Sequence, residues 1–154
     1  MASKGTGDQL AVWEAFLRAH TLISDSLNRE LQQERGMPLA WYEVLLYLTG
    51  SPDRRMRLQD LADRVMYSRS GLTRLIDRME AAKLVRREPC VEDRRGTWAV
   101  ATGEGRRAFR RAAPTHVHGI ERHFLSRLTD QEIEVMRCAF ERLASPAKPK
   151  ARAV

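Results

Sequence analysis

Long apolar runs are what this 154-residue chain most plainly lacks. No stretch reaches the eighteen or so hydrophobic residues that a membrane-spanning helix needs, so no membrane partner is expected. Met1 to Gly7 is small and polar with no apolar stretch behind it, so no secretory leader is expected and the cytoplasm is the expected compartment. Cysteine is scarce: Cys90 and Cys138 stand far apart, without C-x-x-C spacing. That spacing argues against a disulfide framework or a zinc knuckle. Catalytic groupings are missing too. There is no nucleophile beside a base, no pair of catalytic carboxylates and no glycine-rich phosphate loop, since Gly103 to Gly105 supplies only G-E-G at a helix start. The chain is therefore not read as an enzyme, and no cofactor is expected. His116, His118 and His123 raise the question of a metal, but on a regular helix His118 points away from the face that His116 and His123 share, so none is expected. No internal repeat is present.

What the chain has in excess is positive charge, unevenly placed. It carries 27 Lys/Arg against 20 Asp/Glu, a formal +7. Between Arg54 and Arg111, sixteen basic residues stand against eight acidic ones, and the remainder of the chain is slightly acidic. A localised cationic field suits a polyanion, because each phosphate neutralised releases condensed counterions. A solvated charged surface explains the same balance, so the pattern of residues has to decide.

With 43% hydrophobic residues the length suits one domain with one core. Trp13, Phe16, Leu17, Ile23, Leu27 and Leu31 recur at helical spacing and predict a helix over about 8–35, ended by Gly36 and Pro38. Trp41, Val44, Leu45 and Leu48 predict a second, stopped at Gly50-Ser51-Pro52. Arg54 to Leu58 is either a short strand or loop. Leu61, Ala62 and Val65 mark a brief third helix. After a tight connection at Met66 and Tyr67, Ser68 stands as the N-cap of a fourth, with Leu72, Leu75, Ile76 and Met79 turned inward. Leu84 to Cys90 and Thr97 to Ala101 predict two strands around the polar segment Glu92 to Gly96. Thr102 caps a fifth helix whose apolar stripe is Phe109, Ala113, Val117, Ile120, Phe124 and Leu128. Pro114 lies inside it, so a kink near 110–114 or a break into two helices is expected. Thr129 and Glu132 form a capping box for a sixth helix carrying Ile133, Met136, Phe140 and Leu143. A disordered tail is expected over 145–154.

The fold class is thus mainly α with a small β wing (α+β). A helix fits the major groove, where bases differ in the donors and acceptors they offer. The fourth helix offers Ser68, Arg69, Ser70, Thr73, Arg74 and Arg78 on its outward face, and its capped start suits a phosphate. Gly71 leaves room for close approach. The hairpin tip D-R-R-G, Asp93 to Gly96, is narrow enough for a minor groove, where narrow segments attract arginine. Of Arg94 and Arg95, Arg95 is the favoured inserting side chain, with Asp93 holding a wing arginine at its angle. Double-stranded DNA is the expected partner.

These segments, S-R-S-G-L-T-R-L-I-D-R-M-E-A-A-K-L-V-R-R followed by E-D-R-R-G-T-W-A-V-A-T-G-E-G, resemble the MarR family of bacterial transcriptional regulators, and the likeness spans most of the chain. The resemblance implies a winged helix-turn-helix flanked by N- and C-terminal dimerisation helices, at about 8–35 and 103–144, around a DNA-binding lobe at about 39–102. It implies an obligate homodimer on a pseudo-palindromic operator, a repressor released by a small molecule. Ser68, Ser70, Thr73 and Arg74 fall on the family's recognition helix, and Asp93 and Arg95 on the wing's D-x-R. The departures are Ala101, where leucine is usual, and Arg57, where a serine or threonine cap is common. A homodimer also makes physical sense, because a winged lobe needs only about half the chain and the long stripes at both ends require a partner.

Family members often respond to small phenolic or other aromatic effectors, for which Trp13, His20, Trp41, Tyr42 and Tyr47 are candidates, although residues of this kind are more often core. The reactive first-helix cysteine of peroxide-sensing relatives has no counterpart here. Cys90, beside Arg86, Arg87 and the wing, is the candidate for a redox-responsive variant, and the three histidines for a metal-responsive one. A winged helix that binds protein without DNA is a further alternative, which the Arg/Ser/Thr face of the fourth helix disfavours.

Overall fold

The structure, a computed structural model, describes residues 4–90 and 96–145. The wing-tip residues Asp93, Arg94 and Arg95 and the tail expected beyond Ser145 lie outside the described residues. The described chain runs α1 (Lys4–Arg35), α2 (Leu39–Gly50), a 3-10 turn (Pro52–Arg54), β1 (Arg55–Arg57), α3 (Leu58–Arg64), α4 (Arg69–Ala81), β2 (Val85–Pro89), β3 (Thr97–Ala101), α5 (Gly103–His123), a second 3-10 turn (Leu125–Arg127) and α6 (Asp130–Ala144). It is mainly helical with a small antiparallel sheet, as the sequence predicts, and the sheet's strands lie in the order β1-β3-β2.

α1 starts four residues before the expected Asp8 and stops where expected. Gly36 takes a positive φ of 61°, which a residue with a Cβ adopts only under strain. The bonds Gly36 N–H to Gln32 O (3.0 Å) and Met37 N–H to Leu31 O (3.3 Å) close the last turn. Pro38 then sets the entry to α2, and Asn28 Oδ1 of α1 accepts the Leu39 N–H at 3.0 Å. The Arg54 to Leu58 ambiguity resolves as the edge strand β1, pairing Arg55 with Val100 and Arg57 with Trp98. On the other side β3 pairs with β2, Arg86 opposite Val100 and Glu88 opposite Trp98.

The core lies in the segment from α2 to β3. Val44, Leu45, Leu48, Leu61, Leu72, Ile76, Met79 and Val85 are fully buried, joined by Leu31 from α1. Each such side chain contributes about 1.5–3 kcal/mol relative to exposure.

α5 departs from expectation in two ways. Its buried face is Gly105, Ala108, Ala112, Thr115 and Gly119, not the bulky stripe from Phe109 to Leu128. Val117 is exposed, and the helix ends at His123, before Phe124 and Leu128. Small residues three and four apart let α1 approach closely: a Cβ on Gly119 would stand 2.6 Å from Leu27 Cδ2. Thr115 completes the seam by accepting from Arg35 Nε (3.0 Å) and donating to Glu34 Oε2 (2.9 Å). Pro114 lies inside the continuous helix, so of the two outcomes expected for it the break into two helices does not occur. It is exposed, and the residue after it, Thr115, is tied to α1.

Candidate nucleic-acid interface

Ser68 caps α4 as its sequence position suggests, its Oγ accepting the Gly71 N–H at 3.1 Å. The connection before it turns sharply because Met66 adopts a left-handed φ of 55°, which aims α4 away from α3. One side of α4 then buries Leu72, Leu75, Ile76 and Met79. Arg69, Ser70, Thr73, Arg74, Asp77 and Arg78 are exposed on the other. Thr73 Oγ1 donates to Arg69 O at 2.9 Å, leaving its lone pairs available as acceptors.

The charges of this helix are treated unequally. Among the described residues, Arg69, Arg74 and Arg78 make no ion pair. The acids Asp77 and Glu80 are both occupied by Arg87 of β2. Its Nη2 lies 2.6 Å from Asp77 Oδ1 and its Nη1 2.6 Å from Glu80 Oε2. Nη2 also donates to the Thr73 carbonyl at 3.2 Å, and the Arg87 backbone N–H to Glu80 Oε1 at 2.9 Å. Thr73, Asp77 and Glu80, spaced by four and three, define the flank of α4 that faces the wing strand. The residue-by-residue reading missed this cluster, because its members are seven to fourteen positions apart.

At the base of the wing, Cys90 N–H donates to Gly96 O at 3.0 Å, drawing the strands together before the tip. The Cys90 thiol is buried and accepts from Arg57 Nη2 at 3.3 Å. Arg57, at the α3 cap position, makes no side-chain cap bond. Its guanidinium instead lies 5.4 Å from the centre of the Trp98 ring, with that of Arg55 at 4.8 Å.

The effector candidates are not gathered into one pocket. Tyr42 is core, its ring 5.1 Å from Phe109 and 4.3 Å from His116, and burial pushes its hydroxyl above the ordinary range. Burial likewise holds His116 below the usual histidine value. Trp41 and Tyr47 are half-buried against the core. Trp13 and His20 are exposed on α1, flanking Phe16, whose ring is 6.0 Å from that of Phe140 on α6. An open groove of about 370 Å³ lies instead between α2 and α5, lined by Leu46, Thr49, Gly50, Arg54, Arg106, Phe109 and Arg110. Of the three histidines, His118 is exposed and His123 Nε2 lies 2.8 Å from Glu30 Oε1. No cluster of three metal-ligating side chains occurs among the described residues, and no described helix is long and apolar enough to cross a membrane.

A short helix, a sharp turn, a capped polar helix and an antiparallel hairpin, set between long terminal helices, define a winged helix-turn-helix protein. Comparison with known proteins narrows the class. A sequence model of the MarR family matches residues 35–96. The structure of Sco3205, a MarR family transcriptional regulator from Streptomyces coelicolor in complex with DNA, is 38% identical and superposes with a TM-score of 0.80, covering 91% of this chain and 93% of that one. AbsC, also from Streptomyces coelicolor, is 36% identical with a TM-score of 0.83, over 94% of this chain and 95% of its own. The regulator MhqR of Bacillus subtilis (strain 168) is 26% identical over 143 residues, 93% of this chain and 96% of that protein. The chain belongs to the MarR family of transcriptional regulators.

Proposed function

We propose that this chain is a homodimeric, sequence-specific repressor that binds double-stranded DNA at a pseudo-palindromic operator and is released by a small aromatic or phenolic effector. The observation that carries the DNA reading is the imbalance on α4: three guanidiniums without an ion pair among the described residues, Arg69, Arg74 and Arg78, on a capped exposed helix whose two carboxylates share Arg87. In this reading Ser70, Thr73 and Arg74 meet base edges, Ser68, Arg69 and Arg78 meet phosphates, and Arg95 enters the adjacent minor groove, with Arg94 beside it on the wing and Asp93 holding a wing arginine at its angle. The DNA complex of a relative 38% identical to this chain supports it.

The homodimer is supported by apolar surface that the single chain leaves uncovered. α6 buries none of its residues. Trp13, Phe16 and Leu17 of α1 and Val135, Phe140 and Leu143 of α6 are exposed. Aggregated apolar surface of this kind marks an association face. For the effector, the α2–α5 groove offers an apolar floor rimmed by Arg54, Arg106 and Arg110, suited in size and chemistry to an aromatic acid.

Selection of bound fragments from random duplex DNA tests the proposal. The expected result is a two-fold symmetric site with half-sites about 10 bp apart, bound by a species of twice the 17.7 kDa chain mass in sedimentation. Absence of enrichment, or a monomer on an asymmetric site, overturns it.

A further inference from the structure

We propose that Arg87 is a positioning residue for DNA recognition, a strut that fixes the roll of α4 against the wing and offsets part of the negative charge that α4 would otherwise turn towards phosphates. The proposal rests on the DNA-binding reading above and names a residue that touches no DNA.

Arg87 sits on β2, the strand that leads into the wing, and its side chain is 25% exposed. It reaches three successive positions on one flank of α4: the Thr73 carbonyl, the Asp77 carboxylate and the Glu80 carboxylate. Glu80 answers with its second oxygen on the Arg87 backbone N–H, so side chain and strand are both tied to the helix. A planar guanidinium bonded in three directions fixes an angle as well as a distance, which a lysine ammonium does not do. The two elements assigned to DNA are therefore held in mutual register. A rotation of α4 that carried Ser70 and Arg74 off the groove would have to break at least one of these bonds.

The second effect is electrostatic. Asp77 is 57% exposed on the flank next to the outward ridge of Ser70 and Arg74. Without Arg87, Asp77 and Glu80 would put two negative charges on this flank; Arg87 lowers the cluster to a net −1, which Arg69, Arg74 and Arg78, without an ion pair among the described residues, outweigh.

Two duplexes separate these effects: the selected site, and a scrambled sequence of the same length. Arg87→Lys keeps the charge and loses the fork. It is expected to weaken binding to the selected site at least tenfold and to the scrambled duplex less than threefold. The slope of log affinity against log salt on the selected site should become shallower, because lost register means lost phosphate contacts. Arg87→Gln should weaken binding to both duplexes, and adding Asp77→Asn should recover part of that loss on both without restoring the selectivity. Arg87→Lys binding both duplexes within twofold of wild type at every salt concentration overturns the proposal. So does a loss that merely tracks the unfolded fraction seen by circular dichroism. If wild type retains no duplex at all, the DNA-binding reading itself fails and takes the strut with it, a result distinct from wild type binding and Arg87→Lys matching it.

Discussion

Alanine at Gly105 perturbs the joint between the winged lobe and α5. An ideal Cβ at that position would stand 2.0 Å from the Leu84 carbonyl oxygen, 3.0 Å from its carbon and 3.1 Å from Leu45 Cδ2. The first two are backbone atoms, so no rotamer change relieves them. Reaching an ordinary carbon-to-oxygen separation of about 3.3 Å from 2.0 Å requires α5 to withdraw by roughly 1.3 Å. Thr102 sits in the way of that movement. Its Oγ1 lies 2.7 Å from Lys83 O and 3.0 Å from Leu84 O, and accepts the Gly105 N–H at 2.9 Å. Overpacking of this kind costs about 1–3 kcal/mol and a weakened cap about 0.5–2 kcal/mol. Alanine's helix preference offsets at most about 1 kcal/mol. The net loss expected is about 2 kcal/mol, which for a chain of this size lowers the melting temperature by roughly 4–8 °C. Gly103→Ala is the control, since its Cβ would meet nothing nearer than Arg107 Nη1 at 3.5 Å. Thermal unfolding followed by far-ultraviolet circular dichroism should show Gly105→Ala clearly destabilised and Gly103→Ala unchanged or slightly raised. If Gly105→Ala melts with or above wild type, α5 does not lie against Leu84 as described.

Three other perturbations have defined outcomes. Ser68→Ala removes the acceptor for the Gly71 N–H and should cost about 1 kcal/mol, read as a shift in the urea midpoint at unchanged slope. Arg74→Ala should relax base preference at one position of each half-site, whereas Arg95→Ala should weaken binding across all sequences, measured by competition between single-substitution duplexes at fixed salt. His116 has a partly buried ring beside Tyr42 with its Nδ1 unpartnered, and burial lowers its folded pKa below 6.5. Below that value the unfolded chain takes up a proton that the folded chain resists, so stability falls as pH drops through the window. The fall in melting temperature from about pH 7.5 to about pH 5.5 should therefore be smaller in His116→Phe than in wild type, and an equal fall would show that His116 is not its source.

What could be read from the sequence, and what could not, divides by the range of the interactions involved. Ser68, Thr102 and the Thr129–Glu132 box act within three residues, so their chemistry is visible in a short window, and all three caps are where that chemistry places them. The two strands expected around the wing, β2 and β3, pair with each other. The Arg87 cluster joins residues from two elements, and nothing local distinguishes Arg87 from Arg86, which pairs instead with its near neighbour Glu88. The buried face of α5 escaped for a different reason. A search for bulky apolar residues finds Phe109 and Val117, while the true seam consists of glycine, alanine and threonine at the same spacing. Regular recurrence of small residues was the available signal, and it reports close helix approach where bulk reports filled volume. Tyr42 shows the converse: an aromatic with a polar tip fits an effector pocket as well as a core, and only its burial, with its ring stacked on Phe109 and tilted against His116, separates the two.

These contacts also bear on how release from DNA would work. Arg87 ties β2 to α4, β3 ties β1 to β2, and Thr102 and Gly105 seat α5 on Leu84 at the end of α4. The reading head and the start of α5 therefore move together. Further along, α5 is fastened to α1 by Thr115 between Glu34 and Arg35, and by Glu30 between Arg122 and His123. α6 is held differently: it buries no residue of its own, and the ring contact of Phe140 with Phe16 is between two exposed side chains. In the proposed homodimer the second copy sets where α6 lies, and through it the distance between the two reading heads. An effector acting within α4 would have to break a buried core and a three-way guanidinium clamp. One acting where α2, α5 and the terminal helices meet needs only to change the angle between bodies that stay intact. Release should then leave the Arg87 contacts unchanged and alter the spacing between lobes.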